Sequence, residues 1–367
     1  MFRSQLRWSS RASLAAIAIG AAQASAQVTP AQGVAVGDNT PAIRVGMTIF
    51  ADYTLASSPK IRDVNGDSVS FNEFAIRRAY INVTGNISHL MSFRITPDIA
   101  RETGAGASLS GSLEYRLKYA YGQLGLDDWL PRGSWLRFGI QQTPWVDFQE
   151  GIYRYRFQGP MFTDREGYLS SSDAGISGHY NLPSNYGDVH VGIYNGETYS
   201  RAETNDKKAA QARLSLRPFA TQNFLRGLRA HVFADADRYA TGAPRNRLLG
   251  GLTYEQPHVV AGAEYVGTKD RTTRTAAERD GKGYSIFVIP RLSPRWELLG
   301  RYDAITPDDN LTTQQRKRSI FGVSYWLPHE GTVSSGWLLD METTTFDGFA
   351  PAIPTQRKLA LHALLAF

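Results

Sequence analysis

Ile43–Tyr53 reads IRVGMTIFADY. Ile43, Val45, Met47, Ile49, Ala51 and Tyr53 alternate with Arg44, Gly46, Thr48, Phe50 and Asp52, so one face is apolar and the other mixes small, polar and charged groups. A period of two is a β-strand between two unlike environments. The pattern keeps returning. Ala79, Ile81, Val83 and Ile87 stand against Arg78, Asn82, Thr84 and Asn86, and Phe93 and Ile95 against Arg94 and Thr96. In a fourth run Leu113, Tyr115, Leu117, Tyr119 and Tyr121 oppose Glu114, Arg116 and Lys118.

Followed to the end of the chain, the alternation predicts strands near 43–55, 74–86, 89–99, 112–126, 134–143, 173–182, 187–197, 208–217, 227–238, 246–255, 258–268, 282–292, 294–304, 317–327, 332–344 and 356–367. That is sixteen, an even number. Their connections alternate in length. Short joins fall at 87–88, 183–186, 256–257, 293 and 328–331, and long ones at 56–73, 100–111, 144–172, 269–281, 305–316 and 345–355. Short turns at one end and long loops at the other are the habit of outer-membrane barrels, and a β-sandwich has no reason to keep that parity. The last strand, Leu359–Phe367, alternates up to a terminal phenylalanine and resembles the assembly signal of bacterial outer-membrane proteins.

The first residues fit export. Arg3, Arg7 and Arg11 precede the apolar run Ser13–Ala22, and Ala24-Ser25-Ala26 is a small-residue cleavage site, so 1–26 reads as a secretory signal peptide. Its removal takes three arginines and no acid from a formal charge of +6, leaving about +3. That balance lacks the concentrated basic face of a nucleic-acid binder. There is no cysteine, so nothing staples the chain in an oxidising compartment. No later window approaches the ~20 apolar residues of a spanning helix. Residues 27–42 are polar, small and without a period, a flexible N-terminal segment, and 43–367 is the expected barrel.

In hydrocarbon every backbone N–H and C=O must be paired internally, so a spanning sheet has to close on itself. Sixteen strands enclose a bore wide enough for water, whereas about eight are filled by side chains. The fold class expected is therefore all-β, a transmembrane antiparallel β-barrel. Its apolar faces would meet outer-membrane lipid, with Tyr119, Tyr121, Trp296, Tyr302 and Trp337 as candidates for the interfacial belts. The other faces line the bore. Strands one to eight place Arg44, Arg78, Arg94, Arg116, Lys118, Arg137, Arg213 and Arg217 there against Asp52, Asp98 and Glu114. Strands nine to sixteen place Arg229, Arg291, Arg301, Arg318 and Lys358 against Asp235, Asp237, Glu255, Glu264, Glu297, Asp303, Asp340 and Glu342. One wall is basic and the other acidic, so a field runs across the bore. Only eight of the 40 basic residues are lysine. Arginine's planar fork suits carboxylate and phosphate recognition.

Pro144–Ser172, PWVDFQEGIYRYRFQGPMFTDREGYLSSS with Ser172 as its last residue, breaks the alternation between two segments that keep it. Arg154, Arg156 and Arg165 stand there with Asp147, Glu150, Asp164 and Glu166, interleaved with Tyr153, Tyr155 and Phe157. A structureless connection of that length tends to be functional. With both termini periplasmic it is the third external loop. It is expected to fold into the bore, with Arg154 and Arg156 holding it to the wall and presenting charge at a constriction.

Phe74-Ala-Ile-Arg-Arg-Ala-Tyr-Ile-Asn-Val-Thr-Gly-Asn-Ile87, Asp173-Ala-Gly-Ile-Ser-Gly178 and Val191-Gly-Ile-Tyr-Asn-Gly196 resemble the phosphate-selective porin O and P family. The resemblance implies a sixteen-stranded, trimeric outer-membrane channel narrowed by its third loop. The chain departs from the phosphate-specific members in lacking a lysine-rich mouth and an obvious arginine ladder. The expectation is thus a porin passing small hydrophilic solutes by diffusion, with a modest preference for anions, phosphate among them.

Other constellations carry less. Asp63-Val-Asn-Gly-Asp67 opens like a calcium loop, but Ser68 and Phe74 stand where such a loop needs Gly and Glu, so a plain turn is expected. His179 and His190 flank a short turn without a cysteine or carboxylate to complete a metal site. Ser170, Ser171 and Ser172 have no catalytic partner that spacing identifies, so no enzyme, metal or cofactor is called for. A non-conducting barrel acting as scaffold or adhesin is the main alternative, and an outer-membrane enzyme a lesser one.

Overall fold

The computed structural model describes residues 41–102, 109–311, 313–328 and 333–367. The expected signal peptide and all but the end of the 27–42 segment lie outside these. Sixteen long strands follow one another as β1 (Ala42–Arg62), β2 (Ser68–Asn86), β3 (Met91–Arg101), β4 (Leu113–Gly125), β5 (Trp135–Gln142), β6 (Ser172–Leu182), β7 (Gly187–Tyr194) and β8 (Ala209–Leu216). Then come β9 (Leu228–Ala236), β10 (Ala243–Gln256), β11 (Val259–Asp270), β12 (Arg279–Pro290), β13 (Trp296–Thr306), β14 (Gln315–Trp326), β15 (Ser334–Asp347) and β16 (Gln356–Ala366). A three-residue strand, Arg238–Ala240, continues the line of β9 and pairs with the start of β10.

Each long strand pairs antiparallel with the next, and β16 returns to pair with β1 from Thr48↔Ala366 to Leu55↔Leu359. The sheet is a closed barrel. The last residue completes it: Phe367 N–H donates to Met47 O at 3.0 Å, and Met47 N–H donates to Phe367 O at 3.1 Å. Gly46 makes this fit possible, because a Cβ there would sit 2.5 Å from the Phe367 carbonyl oxygen.

The polarity of the wall is reversed from that of a protein folded in water. Ile95, Phe138, Val191, Val232, Leu252, Ile286, Phe321 and Leu361 face outward and are exposed, while Asp98, Arg137, His190, Glu264 and Asp340 are buried inside. Such an exterior is stable only against hydrocarbon. Trp296 and Trp337 are on the outer face as expected.

Two bulges change the parity of the alternation. On β2 the register slips between Phe50/Arg78 and Ala51/Ile76, leaving Arg77 unpaired on the strand and turning it inward beside Arg78. On β4 it slips between Thr96/Tyr119 and Pro97/Leu117. Pro97 has no N–H to give the ladder, and a bulge is where a strand tolerates proline. As a result Tyr119 and Tyr121, expected in the lipid belts, point inward and are buried.

The connection expected to be an open loop over 56–73 is mostly ladder. β1 and β2 run on as a hairpin to Arg62↔Ser68. Its turn is closed by Asp63, whose Oδ1 accepts the N–H groups of Asn65 and Asp67, both at 2.9 Å. That is the plain Asx turn expected of this motif.

Candidate permeation site: a loop folded across the bore

Residues 143–171, between β5 and β6, form loop 3, and it lies inside the barrel. Its neck is closed by Thr143 N–H donating to Ser171 O at 3.1 Å. Two short helices stiffen it, α1 (Val146–Tyr153) and α2 (Phe162–Arg165). α1 ends where Arg154 turns left-handed at φ 56°, its N–H returning to Glu150 O at 3.1 Å. Left-handed caps usually fall to glycine. Here the turn reverses the chain and aims the Arg154 side chain at the wall.

Loop 3 packs by aromatic rings first. Tyr153, Tyr155, Phe157 and Met161 join Phe50, Tyr80, Phe287, Leu299, Ile320, Trp326 and Leu338 of the inner wall in one buried cluster. Trp145 and Phe162 join Phe233, Leu249 and Val266 in a second. The inner face is therefore polar only in part. Where β11 to β16 pass under loop 3 it carries apolar residues among the charged ones.

Charge then fixes the loop's direction. Arg154 Nη1 meets Glu297 Oε1 at 3.1 Å, and Tyr155 Oη donates to Glu297 Oε2 at 2.7 Å. Arg165 Nη1 lies 3.0 Å from Glu342 Oε2, and Glu166 Oε1 lies 2.9 Å from Arg318 Nη1, with Arg316 also on Glu166. Trp145 Nε1 donates to Glu264 Oε2 at 3.0 Å. Four strands of the acidic half, β11 and β13 to β15, thus receive the loop. Asp147 turns the other way. Asp147 accepts from Tyr119 Oη at 3.2 Å; burial pushes its carboxyl above the ordinary value, against the pull of Arg94 and Lys118. Glu150 stays within the loop, 2.5 Å from Arg156 Nε, so Arg156, expected to hold the loop to the wall and present charge, is instead buried and neutralised by the loop's own Glu150 and Asp164.

The residues expected to line the bore fall into three settings. Arg94, Lys118, Arg137, Arg156 and Arg213 are buried. Arg94 donates to Thr96 at 2.9 Å and Asn82 at 2.7 Å. Lys118 Nζ donates to Tyr80 Oη at 3.3 Å and lies over the Tyr80 and Tyr119 rings. Arg137 donates to Gln123 and Gln142 and stacks 3.7 Å over Trp135. Arg213 meets Asp188 at 2.5 Å and donates to Pro144 O at 2.8 Å, at the root of loop 3. Arg78 and Arg116 face open space toward the loop end of the barrel and share Asp98, at 3.2 and 3.7 Å, with Arg116 also donating to Tyr199 Oη at 2.7 Å. Arg154 reaches Glu297 near the opposite, turn end, and Arg44 is exposed at that end on β1.

Arg77 is a member of this set that parity alone puts outside. Its bulge brings it 2.7 Å from both Asp52 and Glu73. His179 and His190 do meet across their hairpin as register partners, with ring centroids 6.1 Å apart. Among the described residues no group of three His, Cys, Asp or Glu side chains is placed to hold a metal ion.

No family model matches the sequence, and no curated protein does. Solved structures do. The outer membrane channel DcaP of Acinetobacter baumannii is 11% identical, covering 91% of this chain and 100% of that one with a TM-score of 0.58. An anion-selective porin from Comamonas acidovorans is also 11% identical, covering 89% and 100% with a TM-score of 0.62. Pseudomonas putida OprB is 8% identical, covering 89% and 94% with a TM-score of 0.61. The likeness is in the fold: a sixteen-stranded barrel of the bacterial outer membrane.

Proposed function

We propose that the protein is an outer-membrane porin through which small hydrophilic solutes diffuse passively, with a modest preference for anions. The observation that carries this reading is the reversed polarity of a closed sixteen-stranded barrel whose loop 3 turns inward. A barrel of that width has room for water. Taking loop 3 as external, the outer vestibule presents Arg77, Arg78, Arg116, Arg316 and Lys358 as partly exposed cations. Glu73, Glu114, Asp164 and Asp270 are among its partly exposed carboxylates. Arg78 and Arg116, which share the single carboxylate Asp98, would draw anions at the mouth, and guanidinium forks suit carboxylate or phosphate. Phosphate is one candidate solute, and a homotrimer is the assembly proposed.

A channel fits the interior better than an enzyme does. Ser177 Oγ lies 3.2 Å from His190 Nε2, but both are buried in the wall, and the ring packs against Trp135 and Tyr194 rather than a substrate cleft.

The experiment is the reversal potential of the purified barrel in a planar bilayer under a KCl gradient. An anion-selective potential is expected, moving toward zero in Arg78→Ala/Arg116→Ala. A cation-selective potential would remove the anion preference and keep the channel. Folded barrel without any current would favour the scaffold reading.

A further inference from the structure

Four outward cations stand at the loop end of the wall from β11 to β16. Lys269, Lys282, Lys317 and Arg357 share the parity of the exposed Tyr265, Tyr284, Phe321 and Leu359, so their side chains leave the barrel on its lipid side. They fall on one line. Lys282 is two residues nearer the turn end than Asp280, the register partner of Lys269. Ala304, the partner of Lys317, is two nearer than Thr306, the partner of Lys282. Thr343, the partner of Arg357, is two nearer than Thr345, the partner of Lys317. Three steps of two residues make a drop of six over the five strand-to-strand steps from β11 to β16. At about 3.3 Å per residue and about 4.8 Å between strands that is a slope of about 40°, the tilt of barrel strands, so the four cations lie at one height.

That height is the edge of the apolar band. On β14 Lys317 is eight residues from Tyr325, which pairs with Trp296 at the turn-end edge of the outer face. Along the barrel axis this is about 20 Å, close to the height of such a band. Below the cations Tyr265, Tyr284 and Tyr302 face outward as an aromatic belt. Gly267, register partner of both Leu248 and Lys282, leaves a depression of about 340 Å³ beside Tyr265. Carboxylates stand on the far side of the cations. Glu278 and Asp309 in the loops and Asp347 at the end of β15 meet Lys269, Lys282 and Lys317 at 2.8, 3.1 and 2.9 Å. Exposed pairs of this kind are weak and readily exchanged. Arg357 is exposed and has no ion pair among the described residues. The order outward from hydrocarbon is thus tyrosine, cation, carboxylate. Cations just outside an aromatic belt sit at the level of lipid headgroups. Taking loop 3 as external, we propose that this row binds the phosphate groups of the phosphorylated glycolipid of the external leaflet. Tyr265, Tyr284 and the Gly267 depression receive its acyl chains. The proposal needs the orientation of the barrel and not its conduction.

The test is titration of the delipidated full-length barrel in detergent with purified lipopolysaccharide, bound lipid being counted by native mass spectrometry. It reads no current, so its outcome is separate from that of the channel reading. A cation beside an anionic headgroup is worth roughly fivefold in affinity, or about 1 kcal/mol. Lys282→Gln and Arg357→Gln should each weaken binding roughly fivefold. Lys269→Gln/Lys282→Gln/Lys317→Gln/Arg357→Gln should weaken it more than about a hundredfold by the same increment. Lys207→Gln/Lys208→Gln, between β7 and β8, should bind as wild type does. Equal affinity of wild type and the quadruple variant would overturn the proposal. So would an equal loss in the Lys207/Lys208 variant, which would reduce the effect to net charge. Phosphatidylglycerol binding as tightly as lipopolysaccharide would overturn the assignment to the glycolipid. Should the quadruple variant lack folded-barrel mobility on a heat-modifiability gel, the two single variants decide.

Discussion

Gly46 is the position where the barrel has no spare room. Its Cα faces the Phe367 carbonyl, which accepts the Met47 N–H and so ties the last residue to the first strand. Gly46→Ala inserts a methyl group 2.5 Å from that oxygen. Overpacking of this kind costs on the order of 1–3 kcal/mol. The variant should unfold at a lower temperature in a heat-modifiability gel, whereas Gly122→Ala, with nothing within 4 Å of the new Cβ, should match wild type. Equal midpoints for both would mean the seam tolerates the shift. Single residues also decided where reading by parity failed. Pro97 stands in plain sight within a predicted strand, and its missing N–H is the reason the ladder slips and Tyr119 and Tyr121 turn inward. The Arg77 bulge has no such marker. Two adjacent arginines read equally well either way, and only the pairing with β1 shows that both face the bore.

Loop 3 is the element in which sequence and structure inform each other most. Its position and inward fold were legible from the break in alternation; which wall it docks on was not, because Arg154 and Arg165 find Glu297 and Glu342 whereas Arg156 turns back to Glu150 and Asp164 within the loop. Its aromatic packing also left a trace that the polar-bore picture obscured. Ile286–Ile289, Leu298-Leu299, Ile320-Phe321, Leu338-Leu339 and Leu364-Leu365 are apolar on consecutive residues. Consecutive apolar residues mark a strand covered on both faces, with lipid on one side and here loop 3 on the other. Packing therefore predicts what weakens the loop while sparing the barrel. Phe157 sits 6.4 Å from the Phe50 ring and 6.0 Å from Trp326. Truncation of a buried Phe costs roughly 3–5 kcal/mol. In Phe157→Ala the loop should become accessible to trypsin at Arg154, Arg156 and Arg165, read by peptide mass on intact vesicles, with barrel mobility unchanged. Wild-type loop cut as fast as the variant would show that it is not docked.

For the molecule as a whole, the governing fact is that apolar groups are outside and charged ones inside. This inversion is what the two-residue period meant, and it can be checked by what each tryptophan touches. Trp296 and Trp337 are outward and 47% and 45% exposed, whereas Trp145 and Trp326 are buried inside at 0% and 5%. A brominated acyl chain quenches indole fluorescence only on contact. In vesicles of brominated lipid, single-tryptophan variants retaining Trp296 or Trp337 should lose much of their emission, and those retaining Trp145 or Trp326 should keep it. Quenching of Trp145 would put loop 3 against lipid and undo the inward fold of the loop. Protection of Trp296 alone is a different outcome, since β13 would then be covered by protein, and the wall on which neighbouring copies meet would have to include it. The same measurement thus tests the inversion and locates the lipid-facing arc from which any oligomer interface is excluded.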